Sequence, residues 1–322
     1  MVKTMRNILL VALLPVGLFI VFMTISAGFG FHSVPILISQ SMIPVVMGLT
    51  MACTMEVGLF DLSIGARVVL AATVGALLEQ HLGIWGLVLG CLLGGLLGAG
   101  VLAALYRILR LPSLVLAIGV VLVYEIVASQ IGGAAALMRI SSASASYASY
   151  PYNVLITIAA CFLFYIVLYK TKTGCLIKAV GNDEIMAAHM GVKPGRIKVL
   201  AYLISGVFSA ITGLLLVSFS GLVSIQTGMS TLAMVFQPVI GVFIGLQLLR
   251  FVDNLPLLIF VGQITLTIIF NGFIALGLTD HIQRLVLGLF LIVVMAISAN
   301  TNTRKGRFNP FKRSKVKADV EV

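Results

Sequence analysis

Apolar residues occupy this chain in long unbroken runs, separated by short polar or glycine-bearing turns. The runs fall near 8–28, 36–58, 62–79, 84–106, 113–131, 153–169, 197–219, 231–249, 255–277 and 283–299. Each is close to the roughly 20 apolar residues that carry an α-helix across a bilayer. A membrane β-barrel would show instead segments of about ten residues that alternate apolar and polar positions. The pattern predicts an all-α polytopic membrane protein with about ten transmembrane helices. Residues 1–300 are expected to form one membrane domain, followed by a basic tail at 301–322.

Composition agrees with that pattern. The 322 residues are 60% hydrophobic and 10% charged, with a mean hydropathy of +1.16. A soluble domain carries about 25% charged residues, and so few charges cannot cover a water-facing surface. Charge placement then sets orientation. With the N-terminus inside, all of the 21 basic residues except Arg139 and Arg284 fall on the cytoplasmic side. That is the positive-inside bias, and moving the path by one span would invert it. Both termini are therefore expected in the cytoplasm, and the membrane is expected to be a bacterial-type inner membrane.

The net charge of +11 does not indicate nucleic acid. Short basic runs beside membrane spans are routine, so the tail RKGRFNPFKRSK reads as a topology signal and a contact for anionic lipid. Lys3 and Arg6 ahead of the first run would also suit a signal peptide. That run is long for an apolar core of 7–15 residues, so a retained anchor is expected. Cys53, Cys91, Cys161 and Cys175 have no C-x-x-C spacing, which argues against a disulfide framework or a zinc site. His32, His81 and His281 fall on outer turns and His189 on an inner loop, without ligand spacing. No metal and no cofactor are expected. The absence of a G-x-x-x-x-G-K-[ST] loop and of hydrolase motifs argues against an enzyme and against ATP hydrolysis by this chain.

Polar groups inside apolar runs are costly and point to function by default. Glu125 lies within the fifth run and is the leading candidate to line a polar pathway. Gln263, Thr267 and Asn271 recur every four residues in the ninth run and share one helical face. Uncharged hydrogen-bonding groups suit a hydroxyl-rich solute, and equally suit bonding between helices. Gly86, Gly90, Gly94 and Gly98 form a stripe that lets helices approach closely, either inside the subunit or between subunits. The outer loop 132–152 is small, polar and expected to be flexible.

The longest cytoplasmic connection, 170–198, contains KTKTGCLIKAVGNDEIMAAHMGVKPGRIK. Asn182 is placed to cap a short helix over 183–190, with Asp183 and Glu184 in its first turn, where carboxylates suit the positive end of the dipole. Gly191 offers a stop, followed by Pro194. A helix this short is unstable alone and is expected to dock on a partner or on the bilayer surface.

This loop resembles the cytoplasmic coupling loop of ABC importer permeases of the ribose, simple-sugar and autoinducer-2 group, which carries G-N-x-x-A-A-x-x-x-G-I. The matching residues are Gly181, Asn182, Ala187, Ala188 and Gly191-Val192. Asn182 and Gly191 stand one residue further apart than in the family, so the small pair counted back from Gly191 is Met186-Ala187. A second match is the segment from Glu56 to Gly65, EVGLFDLSIG, which resembles the family's G-x-x-D-L-S-V-G signature at Gly58, Asp61, Leu62, Ser63 and Gly65. Read from the residues alone, Asp61 or Ser63 caps the third span and Gly65 permits a close neighbour.

The family usually has paired glycines in the eighth span. Here that span reads Gln237-Pro238-Val239-Ile240-Gly241-Val242-Phe243-Ile244-Gly245, as in a divergent member that pairs with a different permease. The resemblance implies a permease subunit that works with cytoplasmic ATP-binding subunits, an external solute-binding protein and a second permease copy or paralogue. It implies import of a monosaccharide or related small polar solute, with autoinducer-2 and nucleosides open. An ion-coupled secondary transporter using Glu125 and the stripe Gln263, Thr267 and Asn271, or a non-transporting membrane scaffold, remains the alternative reading.

Overall fold

Helix follows helix along almost all of the described residues. The structure, a computed structural model, describes residues 2–296 except 27–28, 134–136, 147–149, 226, 250, 280–281, 284, 294–295 and the side chains of 2–5 and 8–10. The basic tail therefore lies outside the described residues. The order begins α1 (Val2–Ile25), α2 (Val34–Met55), α3 (Ile64–Leu109), α4 (Ser113–Gly132), β1 (Leu137–Arg139), α5 (Ser142–Ser146) and α6 (Tyr152–Tyr165). A π-helical turn, Ile166–Lys170, leads to α7 (Lys172–Asn182), α8 (Glu184–His189), α9 (Pro194–Ser220) and β2 (Leu222–Ser224). A 3-10 turn, Ser230–Leu232, opens α10 (Ala233–Leu248), and α11 (Leu255–Ala275) follows. α2, α9 and α11 each carry proline in the first turn, where its missing N–H is not needed.

Seven of the described helical stretches are long and apolar enough to cross a membrane. The protein is an all-α polytopic membrane protein. One of the seven, α3, has 46 residues, which at 1.5 Å per residue is more than twice the thickness of the hydrocarbon core. Gly83 resolves the excess: its φ of +60° and ψ of −144° break α3 into limbs 64–82 and 84–109. The limbs fold back on one another, and the glycine stripe is the seam. Gly90 lies against Gly75, Gly94 against Ala71, and Gly98 against the side chain of Arg67. The stripe is therefore consumed by packing within the subunit. Gly95, beside it, meets Gly206 and Ala210, so α9 completes the core with α3.

α1 lies alongside α11. The Asn7 amide donates to the Phe251 carbonyl just before α11 (2.8 Å), and Ser26 donates to Ala275 at its far end (3.0 Å). Phe22 fills the space left by Gly272. Of the tenth apolar run, residues 285–293 are helical.

The outer loop, expected to be flexible, is folded where it is described. β1 pairs antiparallel with β2, Met138 opposite Val223, which ties the ends of α4 and α9 together. Glu79, buried near the end of the first α3 limb, accepts from the hydroxyls of Ser141 (2.6 Å) and Ser144 (2.8 Å) and so anchors α5. Serines that read as linker residues are instead donors to an otherwise uncompensated carboxylate.

Candidate functional site

Two regions collect the residues singled out by sequence. In the first, the segment 56–65 joins α2 to α3. Gly58 turns the chain with a φ of +73°. Asp61 is fully buried, and its Oδ1 accepts from the Ser63 backbone N–H (2.8 Å) and hydroxyl (2.6 Å). Its Oδ2 pairs with the Arg67 guanidinium at 2.7 Å, and Arg67 also donates to Ser205 of α9 at 3.0 Å. Neither side chain caps α3 as expected: Ser63 stands at the N-cap position without a side-chain capping bond, and the Asp61 carboxylate instead holds Ser63 and neutralises an arginine that is itself 0% exposed. Arg67, taken from sequence as a topology signal, is interior, and its Nε has no hydrogen-bond partner. Leu62 is partly buried. Gly65 packs so tightly on the Thr231 carbonyl that a Cβ would overlap it.

The 170–198 connection is two helices rather than one. Thr171 caps α7 by accepting from the Gly174 N–H (3.2 Å). Asn182, expected to cap the short helix, instead ends α7. Asp183 is the cap, its Oδ1 accepting from Ile185 and Met186 N–H groups at 2.9 Å each. Extended backbone at Asp183 makes this possible, and Asn182 is still helical. Gly191, with a φ of +82°, stops α8 as expected; its N–H and that of Val192 reach back to the Ala188 and Ala187 carbonyls. Glu184 pairs with Lys198 of α9 at 2.6 Å.

Ala187 is buried in the core, whereas Ile185, Met186 and Met190 are more than half exposed, and Ala188 is exposed as well. The small pair is therefore not a uniform outer surface: Ala187 holds α8 down while its larger apolar neighbours face outward. Gly181 lies directly on the Glu56 carbonyl with no room for a Cβ. That contact joins the loop to the first region.

The second region is a cleft of about 430 Å³ between α2, α10, α11 and the helix that follows. Among the described residues, its lining includes Gln40, Gln237, Thr267, Phe270, Asn271 and Gln283 and contains no charged side chain. The Asn271 amide donates to Gln40 Oε1 and to the Thr267 carbonyl, each at 2.9 Å. The hydroxyl of Thr267 is buried without a partner.

Of the four residues expected along a pathway, Thr267 and Asn271 reach the cleft. Gln263 does not: it is fully buried where α10 crosses α11, and it donates to the Pro238 carbonyl at 2.7 Å. Its carboxamide occupies the space above Gly241, so the glycines retained in this divergent helix still provide close packing. Glu125 is likewise not a lining group, being 1% exposed and bonded to residues 229 and 231. Gln40, Gln237 and Gln283 were missed, although the rule that picked out Gln263, an amide in an apolar run, applies equally to Gln40 and Gln237. No group of three or more metal-ligating side chains occurs among the described residues.

A probable ABC transporter permease protein, YphD, of Escherichia coli (strain K12) is 30% identical over 150 residues, covering 47% of this chain and 44% of that protein. The galactofuranose transporter permease protein YtfT of the same organism is 28% identical over 181 residues, 53% of this chain and 52% of that one. A tyrosine transport system permease protein of Clostridioides difficile (strain R20291) is 25% identical over 175 residues, 52% and 58% of the two chains. The chain spans about half the length of the curated relatives it matches. No solved structure matches. The family described as branched-chain amino acid transport system, permease component, matches residues 34–295, and the chain belongs to that family.

Proposed function

We propose that this chain is the membrane-spanning subunit of an ATP-driven importer for a neutral, hydroxyl-rich solute, a monosaccharide or a close relative in size and polarity. The observation that carries the reading is the cleft. Among the described residues, four amide side chains, a threonine, an aromatic ring and apolar side chains line it, and none is charged. Amides supply both donors and acceptors, so they replace the water shed by hydroxyl groups. A solute with a free ammonium or carboxylate would leave water for a site whose described lining offers no counter-charge, which is expensive. This favours the cargo named for the galactofuranose relative over that named for the tyrosine relative. Autoinducer-2 and neutral nucleosides satisfy the same chemistry.

The remaining parts of the proposal follow from placement. Ten crossings with both ends cytoplasmic put the start of α2 and the end of α11, and hence Gln40 and Asn271, toward the outer side. There a solute-binding protein delivers cargo. The same path places α8 inside, where exposed Ile185, Met186 and Met190 suit docking of a cytoplasmic ATP-binding subunit. An exposed polar patch at membrane depth needs water or protein over it, which a second permease copy or paralogue supplies.

The test is uptake by the chain reconstituted in liposomes with its ATP-binding and solute-binding partners. Uptake that requires ATP and survives a protonophore is the expected result. Uptake that persists without the ATP-binding subunit and stops with a protonophore would overturn the reading in favour of ion coupling.

A further inference from the structure

After β2, the chain turns back along α4. Ile225 rests against Gly132 at the end of α4, and residues 229–231 meet Glu125, seven residues earlier on the same helix. At 1.5 Å per residue that is a descent of about 10 Å into the body of the protein. Gly228 and Met229 both have positive φ, +83° and +64°, so the backbone there is not helical. Non-helical backbone at membrane depth persists only where its polar groups find partners. The Glu125 carboxylate supplies them. Its Oε2 accepts from the Met229 N–H (2.8 Å), and its Oε1 accepts from the Thr231 N–H (2.9 Å) and hydroxyl (2.6 Å). The Thr231 carbonyl is gripped from the other side by Gly65. This clamp stands at the start of α10, at the end of a helix that favours negative charge. Two turns further on, α10 presents Gln237 to the cleft.

We propose that Glu125 is a positioning residue for transport: it fixes the start of α10, and through α10 the cleft-lining Gln237, without touching the solute. The inference rests on the permease reading above. It assigns Glu125 a role different from the one an intramembrane carboxylate suggests, because both oxygens are already committed to protein donors.

Glu125→Gln tests it, since the new amide sets an N–H₂ against N–H groups that need an acceptor. The reporter is a cysteine at position 237, in a chain lacking the four native cysteines, treated with a membrane-impermeant thiol reagent in the purified complex. Glu125→Gln is expected to change the labelling rate of Gln237→Cys at least fivefold and to lower solute uptake at least tenfold. A control cysteine at position 172, exposed on α7, is expected to label within twofold of its rate in the Glu125 chain. Equal shifts at both positions would indicate general loosening and overturn the proposal, as would uptake within twofold of the unaltered chain. ATP-independent uptake by the unaltered chain would instead sink the permease reading, and the labelling result could still be interpreted without it.

Discussion

Two ion pairs of nearly the same length stand in the segments around 61–67 and 184–198, and their surroundings make them different objects. Asp61 and Arg67 meet at 2.7 Å with both side chains 0% exposed. Glu184 and Lys198 meet at 2.6 Å with side-chain exposures of 31% and 9%. Distance alone would rank them equal. Burial separates them, because a charge taken out of water depends wholly on its partner, whereas a half-wet one can be resolvated. The buried pair ties α3 to α9 through Ser205 and sits inside the signature segment, so it behaves as a fixed joint. The outer pair fastens α8, a helix of six residues, to α9 and leaves it freer to respond to a partner.

The sharpest way to break this contrast is Asp61→Ala. It strands a guanidinium that already has one unpartnered nitrogen, and removing one member of a buried pair costs about 3–5 kcal/mol. Thermal unfolding in detergent should show a large fall in midpoint, or loss of monodisperse protein. The double change Asp61→Leu with Arg67→Met should cost less than the single one, because neither charge is left alone. A double variant as damaged as the single would show that shape, not charge, makes this joint.

Gly181→Ala comes next. Its methyl would enter the Glu56 carbonyl, and overpacking of this kind costs about 1–3 kcal/mol. The contact joins α7 to the end of α2, so uptake should fall along with thermal stability. Unchanged stability would mean that the contact yields without consequence.

Met186→Glu acts on α8 without touching either ion pair. Met186 is 59% exposed, so insertion and stability should hold while an ATP-binding subunit loses an apolar contact. A drop in uptake and in co-purified ATP-binding subunit of about tenfold, equivalent to about 1.4 kcal/mol, is expected. Ala187, which by sequence looks like part of the same surface, is the wrong site for this test. It is buried, and a bulky charge there would damage folding first.

What sequence reveals and what it hides in this chain have a common physical basis. Periodicity and composition disclose the helices, and the stop at Gly191 is local chemistry, legible from neighbours. The register of the α8 cap was missed by one residue because Asn182 and Asp183 are both good caps. Which of them caps is decided by where α7 ends, and α7 was not foreseen at all. Glu125 and Arg67 illustrate the larger gap. A charge in an apolar run signals that a partner exists but not where: Met229, Thr231 and Ser205 come from elsewhere in the fold, although Asp61 stands only six residues before Arg67. The cleft was half legible for the same reason. Thr267 and Asn271 share a face of one helix, whereas Gln40, Gln237 and Gln283 join them only once three other helices are packed.

The smallest effect completes the contrast between the pairs. Glu184→Gln removes the charge of the outer pair but keeps a group of the same shape, able to accept from the Lys198 ammonium. Pairs of this exposure contribute about 0.2–1 kcal/mol, and salt screens them further. Lys198 is not left stranded, since its ammonium also lies 6.0 Å from the centre of the Tyr106 ring. The unfolding midpoint should therefore move far less than for Asp61→Ala, and the difference should shrink in 1 M salt, where the screening length is about 3 Å. A loss as large as that of Asp61→Ala, indifferent to salt, would show the outer pair to be as dry in the membrane as the inner one. The two joints would then be of one kind, and α8 would be a rigid extension of α9 rather than a helix held loosely enough to respond.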